Sequence, residues 1–187
     1  MKFLFFGRKN RIYSRKIYFE IKKQYSKTKL VLSQRYGQKI TKDVLNWKGD
    51  YIFCFRSFFI LPTKLINNAS IAAINFHPGP PEYRGIGCVN FAIFNNEKKY
   101  GATCHLISKK IDSGKIIDVK RFNIKSNDNV DTLLEKTYKI QTLQFKEILK
   151  KIRKHLKSHL NFKTISSNEK WSKKLYTKKD LEDFYIL

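Results

Sequence analysis

Four polar side chains in the middle of the chain have the chemistry that is needed to move an acyl group. Asn75 and His77 end an apolar run, and residues two apart on an extended chain face the same way. His105 lies in a later apolar run, and Asp112 lies in an Ile-Asp-Ser-Gly segment that reads as a turn. A carboxylate can orient a histidine or take a proton, an imidazole can transfer a proton near neutral pH, and an amide can stabilise an oxyanion. If the acceptor is an amine, the transfer needs no serine or cysteine nucleophile.

Each of these residues also has an ordinary structural explanation. An isolated Asn-x-His is usually a polar strand end, and an Asp-Ser-Gly turn is usually only a turn. The segment from His77 to Gly87 is less ordinary, because it holds three of the four prolines and three of the eight glycines. Proline fixes the backbone and glycine permits unusual conformations, so this is a constrained loop. A loop that directly follows a sheet strand is where α/β proteins bind ligands.

The elements that must position these residues are predicted from apolar runs and helical periodicity. Strands are predicted at 2–6, 29–33, 51–55, 71–75, 100–107 and 115–124. Helices are predicted at 12–24, 40–47, 90–95 and 130–156. Strands that alternate with helical segments at these intervals indicate an α/β fold with a mostly parallel sheet. The polar segment after residue 160, which carries Trp171, Tyr176 and Phe184, is expected to wrap over the domain.

The composition fits one globular domain with an anionic partner. The chain has 187 residues and a formal net charge of +24, and strongly basic surfaces attract phosphates. The excess of Lys, Ile, Asn, Phe and Tyr can equally reflect coding composition. Three widely spaced cysteines without a CxxC motif argue against a disulfide framework and against a zinc site, so no metal is expected. Neither a signal peptide nor a membrane span is evident, which predicts a cytoplasmic protein.

Four segments occur in a characteristic order around these residues. They are Ala-Ile-Asn-Phe-His-Pro at 73–78, Tyr-Arg-Gly at 83–85, Tyr-Gly-Ala-Thr-Cys-His at 100–105 and Ile-Asp-Ser-Gly-Lys-Ile-Ile at 111–117. This pattern resembles the folate-dependent formyltransferases, a family that includes glycinamide ribonucleotide, methionyl-tRNA and sugar N-formyltransferases. The resemblance is strongest over residues 50–125. The tail at 171–181 also resembles, more weakly, the tails of some sugar-modifying members.

The resemblance implies a Rossmann-like sheet and 10-formyltetrahydrofolate as the formyl donor. It assigns catalytic roles to Asn75, His77 and Asp112, the first two as stabilisers of an oxyanion and the third as the group that manages the proton of the amine. It implies a donor pocket that includes Phe59, Ile60, Leu61, Pro62 and Ile111. It also implies a supporting set made of Pro78, Gly79, Arg84, Gly85, Thr103 and His105, in which Thr103 and His105 would support Asp112.

The loop that borders the acceptor in this family departs from the family pattern. The family loop commonly reads His-x-Ser-Leu-Leu-Pro, whereas residues 77–82 here read His-Pro-Gly-Pro-Pro-Glu. We expect a catalytic domain over residues 1–160 and a tail over 161–187 that packs on it. Few residues follow the core, which favours a phosphorylated or nucleotide-linked amino sugar over tRNA as the acceptor. Methionyl-tRNA or glycinamide ribonucleotide formyl transfer, an inactive basic nucleic-acid-binding protein, and assembly as a homodimer stay open at this point.

Overall fold

Strands and helices alternate along the chain in a computed structural model that describes residues 1–158 and 166–186. The strands are β1 (Phe3–Arg8), β2 (Thr28–Ser33), β3 (Gly49–Phe55), β4 (Ala69–His77), β5 (Arg84–Gly85), β6 (Lys99–Leu106), β7 (Ile116–Asn123) and β8 (Leu175–Tyr176). The helices are α1 (Ile12–Gln24), α2 (Lys42–Leu45), α3 (Thr63–Asn67), α4 (Cys88–Phe94), α5 (Val130–Ser158) and α6 (Lys178–Ile186). The predicted boundary between residues 160 and 161 lies outside the described residues.

The central sheet has six strands in the order β2-β1-β3-β4-β6-β7. The four strands β2, β1, β3 and β4 run parallel, whereas β6 and β7 pair antiparallel to their neighbours. The sheet is therefore mostly parallel, as the sequence predicts. The strands β1, β3 and β4 all end at the same edge, so the residues that follow them lie close together.

Alternating side chains of the parallel strands bury both faces of the sheet. Phe3 and Phe5 of β1 pack with residues of α1 and α5, including Phe145. Leu4 and Phe6 of the same strand pack on the opposite face. Burying a large apolar side chain stabilises a fold by about 1.5–3 kcal/mol, so this period-two pattern holds the sheet between two helical layers.

The helix α5 crosses the sheet behind the polar residues. Its apolar stripe, which includes Leu133, Ile148 and Ile152, is buried as its helical periodicity predicts. The buried Gln141 of the same helix donates a hydrogen bond to the carbonyl of Phe76 (2.5 Å), between Asn75 and His77. This contact fixes the end of β4 against the helix.

Four short or late elements were not predicted. They are α3, with five residues, the two-residue strands β5 and β8, and α6 in the tail. Strands β5 and β8 pair with each other in a separate small sheet. This sheet joins the constrained loop at 77–87, called the Pro/Gly loop below, to the tail. Among the described residues, no helix is both long and apolar enough to cross a membrane.

Candidate active site

The end of β4 places Asn75 and His77 beside a second histidine from β6. In the antiparallel register Asn75 lies opposite His105, and His77 lies opposite Thr103. The amide nitrogen of Asn75 lies 3.0 Å from Nε2 of His105. Residues 30 apart in the chain are therefore joined because β6 returns alongside β4.

Asp112 reaches back to this strand pair and contacts all three side chains. Its Oδ2 lies 3.2 Å from Nδ1 of His77, and its Oδ1 lies 3.4 Å from both the amide nitrogen of Asn75 and Nε2 of His105. The backbone N–H of Gly85 also donates to Oδ2 (3.0 Å). The structure thus brings together Asn75, His77, His105 and Asp112, which the sequence singles out separately.

The backbone of the Asp-Ser-Gly turn aims the carboxylate inward. Asp112 adopts a left-handed conformation (φ 41°), which Asp tolerates better than most residues. A side chain at Gly114 is excluded, because a Cβ there would come within 1.8 Å of the carbonyl oxygen of Leu106. The turn therefore requires a glycine two residues after Asp112, at the position where the motif has one.

The surroundings of Asp112 keep its carboxyl group ionised. The residue is only 8% exposed, and burial alone would raise its pKa. The charge of His77, the hydrogen bond and charge of His105 and the N–H of Gly85 together outweigh burial, so the pKa of Asp112 is held well below its ordinary value. Asp112 is therefore a buried carboxylate that is ionised at neutral pH.

Both ring nitrogens of His77 are engaged inside the site. Nδ1 faces Asp112, and Nε2 lies 2.7 Å from the backbone carbonyl oxygen of Tyr83. Both partners can only accept hydrogen bonds, so whichever ring nitrogen carries a proton has an acceptor in place. In this conformation His77 holds Asp112, and it would have to turn away from the Tyr83 carbonyl before it offered an N–H to a substrate.

Thr103 supports the loop, and it does not support Asp112 as expected. Its hydroxyl donates to the carbonyl oxygen of Gly79 (2.7 Å), and the hydroxyl of Tyr100 donates to that of Pro78 (3.1 Å). Strand β6 thus holds the Pro/Gly loop in place through two side-chain hydrogen bonds. His105, by contrast, contacts the carboxylate of Asp112 directly.

Arg84 joins three separate segments of the site. Its guanidinium donates to the backbone carbonyl oxygens of Ile111 (2.9 Å), Asp112 (2.6 Å) and Ser172 (3.0 Å). One planar fork therefore ties the Pro/Gly loop to the aspartate turn and to the tail. Arg84 is suited to this because guanidinium donors are fixed in a rigid plane.

The tail covers the two histidines. The ring of Trp171 packs edge-on against His105 (centroids 4.9 Å apart) and against His77 (5.9 Å), and its indole N–H donates to the carbonyl of Gly114 (2.7 Å). A Cβ at Gly85 would come within 2.1 Å of the carbonyl of Tyr176, so the tail strand passes as close as only glycine allows.

A cavity of about 380 Å³ opens above these residues. Asn75, His77, His105 and Asp112 line it, together with the predicted donor-pocket residues Phe59, Ile60, Leu61 and Ile111 and the loop residues Pro78 and Gly85. Ile60 and Ile111 are exposed (74% and 46%), so they present apolar surface to the cavity. Pro62 is the exception among the predicted donor-pocket residues, since it precedes α3 and does not line the cavity.

The sequence analysis missed several lining residues. Arg8 and Arg56 follow the ends of the buried runs in β1 and β3, Tyr138 comes from α5, and Leu175 to Lys178 come from the tail. A charged residue at the carboxyl end of an otherwise apolar strand was a readable signal for the two arginines. Nothing in the sequence alone placed Tyr138 there, because it shares the spacing of the packing stripe.

Neither cysteine chemistry nor a metal finds support at this site. Cys88 lies 3.9 Å from Nε2 of His77, but burial raises the pKa of its thiol, which disfavours a thiolate nucleophile. Within residues 1–158 and 166–186, no group of three or more His, Cys, Asp or Glu side chains is arranged to hold a metal ion.

The fold is an α/β protein with a mostly parallel sheet, in which Asn75 and His77 at the end of β4 contact His105 of β6 and Asp112 of the following turn. The formyl transferase family matches this chain over residues 4–174, and the chain belongs to that family.

Curated relatives match part of this chain. Methionyl-tRNA formyltransferase of Ligilactobacillus salivarius (strain UCC118) is 35% identical over 101 residues, which are 54% of this chain and 32% of that protein. The chain thus matches about a third of the length of the curated relatives.

Solved structures give a longer but more distant match, which shows the fold. The Helicobacter canadensis N-formyltransferase, in complex with folinic acid and dTDP-3-aminofucose, has a TM-score of 0.73 and 21% identity over 96% of this chain and 72% of that one. The formyltransferase PseJ of Anoxybacillus kamchatkensis, in complex with a UDP-formamido sugar and tetrahydrofolate, has a TM-score of 0.73 and 19% identity over 99% and 90% of the two chains.

Proposed function

We propose that this protein is an N-formyltransferase that moves a formyl group from 10-formyltetrahydrofolate to the amine of a phosphorylated or nucleotide-linked acceptor. The observation that carries the proposal is the contact of Asp112 with Asn75, His77 and His105 at the floor of an open cavity. Family membership supports the same chemistry.

In this proposal each polar side chain has one task. Asp112 accepts the proton that the amine loses as its nitrogen forms the new bond to the formyl carbon. The amide N–H of Asn75 stabilises the negative charge that develops on the formyl oxygen. His77 and His105 fix the carboxylate and its charge, and His77 adds a second N–H donor if its ring turns from the Tyr83 carbonyl.

The donor half of the cavity is the apolar wall. Phe59, Ile60, Leu61 and Ile111 present apolar surface beside Asp112, which suits the flat ring of a folate. The bound donor supplies the activated formyl group. Two solved formyltransferases of similar fold were crystallised with folinic acid or tetrahydrofolate, which supports a folate as the donor here.

For the acceptor, an amino sugar linked to a nucleotide is the favoured class. The neighbours with sugar nucleotides bound cover nearly the whole chain, and cationic residues of this chain line the cavity. Methionyl-tRNA is the second candidate, because the curated relatives with 32–40% identity over part of the chain carry that name.

A panel assay separates these candidates. The purified protein is incubated with 10-formyltetrahydrofolate and, in turn, dTDP- and UDP-linked amino sugars, glycinamide ribonucleotide and charged initiator methionyl-tRNA. Mass spectrometry then detects the gain of one formyl group. Formylation of a sugar nucleotide supports the proposal, formylation of the tRNA supports the second candidate, and no formylated amine in any reaction contradicts both.

A further inference from the structure

Arg56 is a buried cation in an unusual backbone conformation. It directly follows β3, is 7% exposed, and has a positive φ of 57°. A left-handed backbone is unfavourable for a long side chain and persists where the surrounding structure imposes it, often at ligand sites. Its guanidinium lies over the ring of Tyr138, with the central carbon 3.0 Å from the ring centroid. Both residues line the cavity.

Arg8 reaches the same cavity from the end of β1. Its guanidinium lies over the ring of Phe58, 3.7 Å from the centroid, and its Nε is buried without a hydrogen-bond partner in the described part of the chain. A guanidinium that stacks on an aromatic face keeps the donors along its edge available. The two arginines therefore place two guanidinium groups, each with a plane of N–H donors, in the lining of the same cavity.

No acidic partner balances this pair in the described residues. Within residues 1–158 and 166–186, neither Arg8 nor Arg56 has a carboxylate within ion-pair distance. Asp112, the sole acid among the described residues that line the cavity, is held by His77 and His105.

The positive charges of Arg8 and Arg56 repel each other. The pKa of Arg56 is lowered to about 10, mainly by burial and also by the charges of Arg8 and Arg11, against the opposing effects of Tyr138 and Glu135. Arg56 is still a cation at neutral pH. A buried cation whose neighbours are also cations is stabilised when an anion enters beside it.

The position of Arg56 relates this charge to the catalytic cluster. In the register of β3 and β4, Phe55 lies opposite Phe76, so Arg56 follows on the strand next to His77. Adjacent strands are about 4.8 Å apart. One small molecule can therefore place an anionic group against Arg56 and an amine beside Asp112.

We propose that Arg8 and Arg56 form a phosphoryl-binding subsite for the acceptor in this cavity. This inference rests on the proposed function for the identity of the molecule, whereas the binding of the anion is independent of formyl transfer. A phosphoryl group suits the subsite better than a single carboxylate, because two planar forks can each donate to separate oxygens of a multiply charged group. The donor is proposed to bind against Ile60 and Ile111, so the two arginines remain available to bind the acceptor.

Titration calorimetry with inorganic pyrophosphate tests this directly. Arg56→Asn removes the charge and keeps a residue that tolerates the left-handed backbone, and Arg8→Gln removes the second fork. Arg153→Gln is the matched control, since Arg153 is exposed and lies about 22 Å along α5 from Tyr138. We expect saturable binding to the wild-type protein, at least tenfold weaker binding to each of the first two variants, and unchanged binding to the control.

Two further arms separate this inference from the proposed function. Asp112→Asn is expected to bind pyrophosphate as the wild-type protein does, even if the protein formylates nothing. A titration with folinic acid asks whether the arginines instead hold the glutamate of the folate. Loss of folinic acid binding without loss of pyrophosphate binding in Arg56→Asn overturns the inference. Equal weakening by Arg56→Asn and Arg153→Gln, or no saturable pyrophosphate binding to the wild-type protein, also overturns it.

Discussion

Asp112 and His77 form a buried pair in which Oδ2 of the aspartate lies 3.2 Å from Nδ1 of the histidine. His105 and the N–H of Gly85 complete the surroundings of the same carboxylate. These donors keep the carboxylate ionised and fix its orientation.

The pH dependence of stability follows from the lowered pKa of Asp112. A carboxyl group with a lower pKa in the folded state stabilises the fold when it is ionised, by about 1.4 kcal/mol for each unit. This contribution is fully present above the unfolded value of about 4 and is lost as the pH falls towards the folded value. We therefore expect Asp112→Asn to lower the free energy of unfolding at pH 6, and the difference from wild type to shrink below pH 4. Urea unfolding at a series of pH values measures it, with Asp131→Asn, an exposed site, as the control. A difference that grows on acidification would contradict the assignment.

Asn75→Ala removes the amide N–H that we assign to the developing oxyanion. The loss of one such donor lowers kcat by about 10²–10³. The affinity for folinic acid should change little, because the apolar wall that holds the folate is intact. Steady-state kinetics and calorimetry measure the two effects. Asn67→Ala, at the exposed end of α3, is the control, and a similar kcat for both variants would rule out the assigned role.

Arg84→Lys keeps a positive charge and loses the planar fork that joins Ile111, Asp112 and Ser172. We expect a loss of about 1–2 kcal/mol in stability, because partly buried carbonyl oxygens lose their donors. The control is Arg121→Lys, since Arg121 also links the loop to the tail, through exposed ion pairs with Glu82 and Glu169. Exposed pairs contribute about 0–1 kcal/mol, so the control should be the milder change in thermal unfolding. The reverse order would contradict the role of Arg84.

Trp171→Ala tests whether the tail positions the two histidines. The indole ring packs against His77 and His105, so its removal should loosen the ring that fixes Asp112. We expect kcat to fall about tenfold, which corresponds to about 1.4 kcal/mol, with a smaller change in KM for the donor. Trp171→Phe keeps a ring and loses the hydrogen bond to Gly114. If that variant is as impaired as Trp171→Ala, the hydrogen bond matters and the ring contact does not.

Much of the fold could be predicted because the strands and long helices carry strong periodic signals. Every predicted strand and helix is present with its ends within two residues of the prediction. The missed elements α3, β5 and β8 have five or fewer residues, and two-residue strands have no period to read. The pairing of β5 with β8 depends on a contact across about ninety residues of chain, which no local pattern encodes.

The residues that stand in family motifs could be predicted as a candidate site from the sequence. The residues whose place in the cavity depends only on the folded geometry were missed. Asn75, His77 and Asp112 stand in ordered motifs, and they converge. Thr103 belongs to a motif too, but its hydroxyl contacts Gly79, because the strand register and the loop set its partner. The left-handed backbone of Arg56 leaves no mark in the sequence, although its position after an apolar strand was a signal that the sequence analysis did not use.

The most direct test of formyl transfer at this cluster is the rate at which the protein formylates its best amine in the panel, compared between wild type and Asp112→Asn. Folinic acid binding is measured on both proteins to show that the cavity is intact. We predict that the substitution lowers the rate by about 10²–10⁴, as the loss of a general base does, while folinic acid still binds. An Asp112→Asn protein that binds folinic acid and formylates the amine at the wild-type rate would contradict the account.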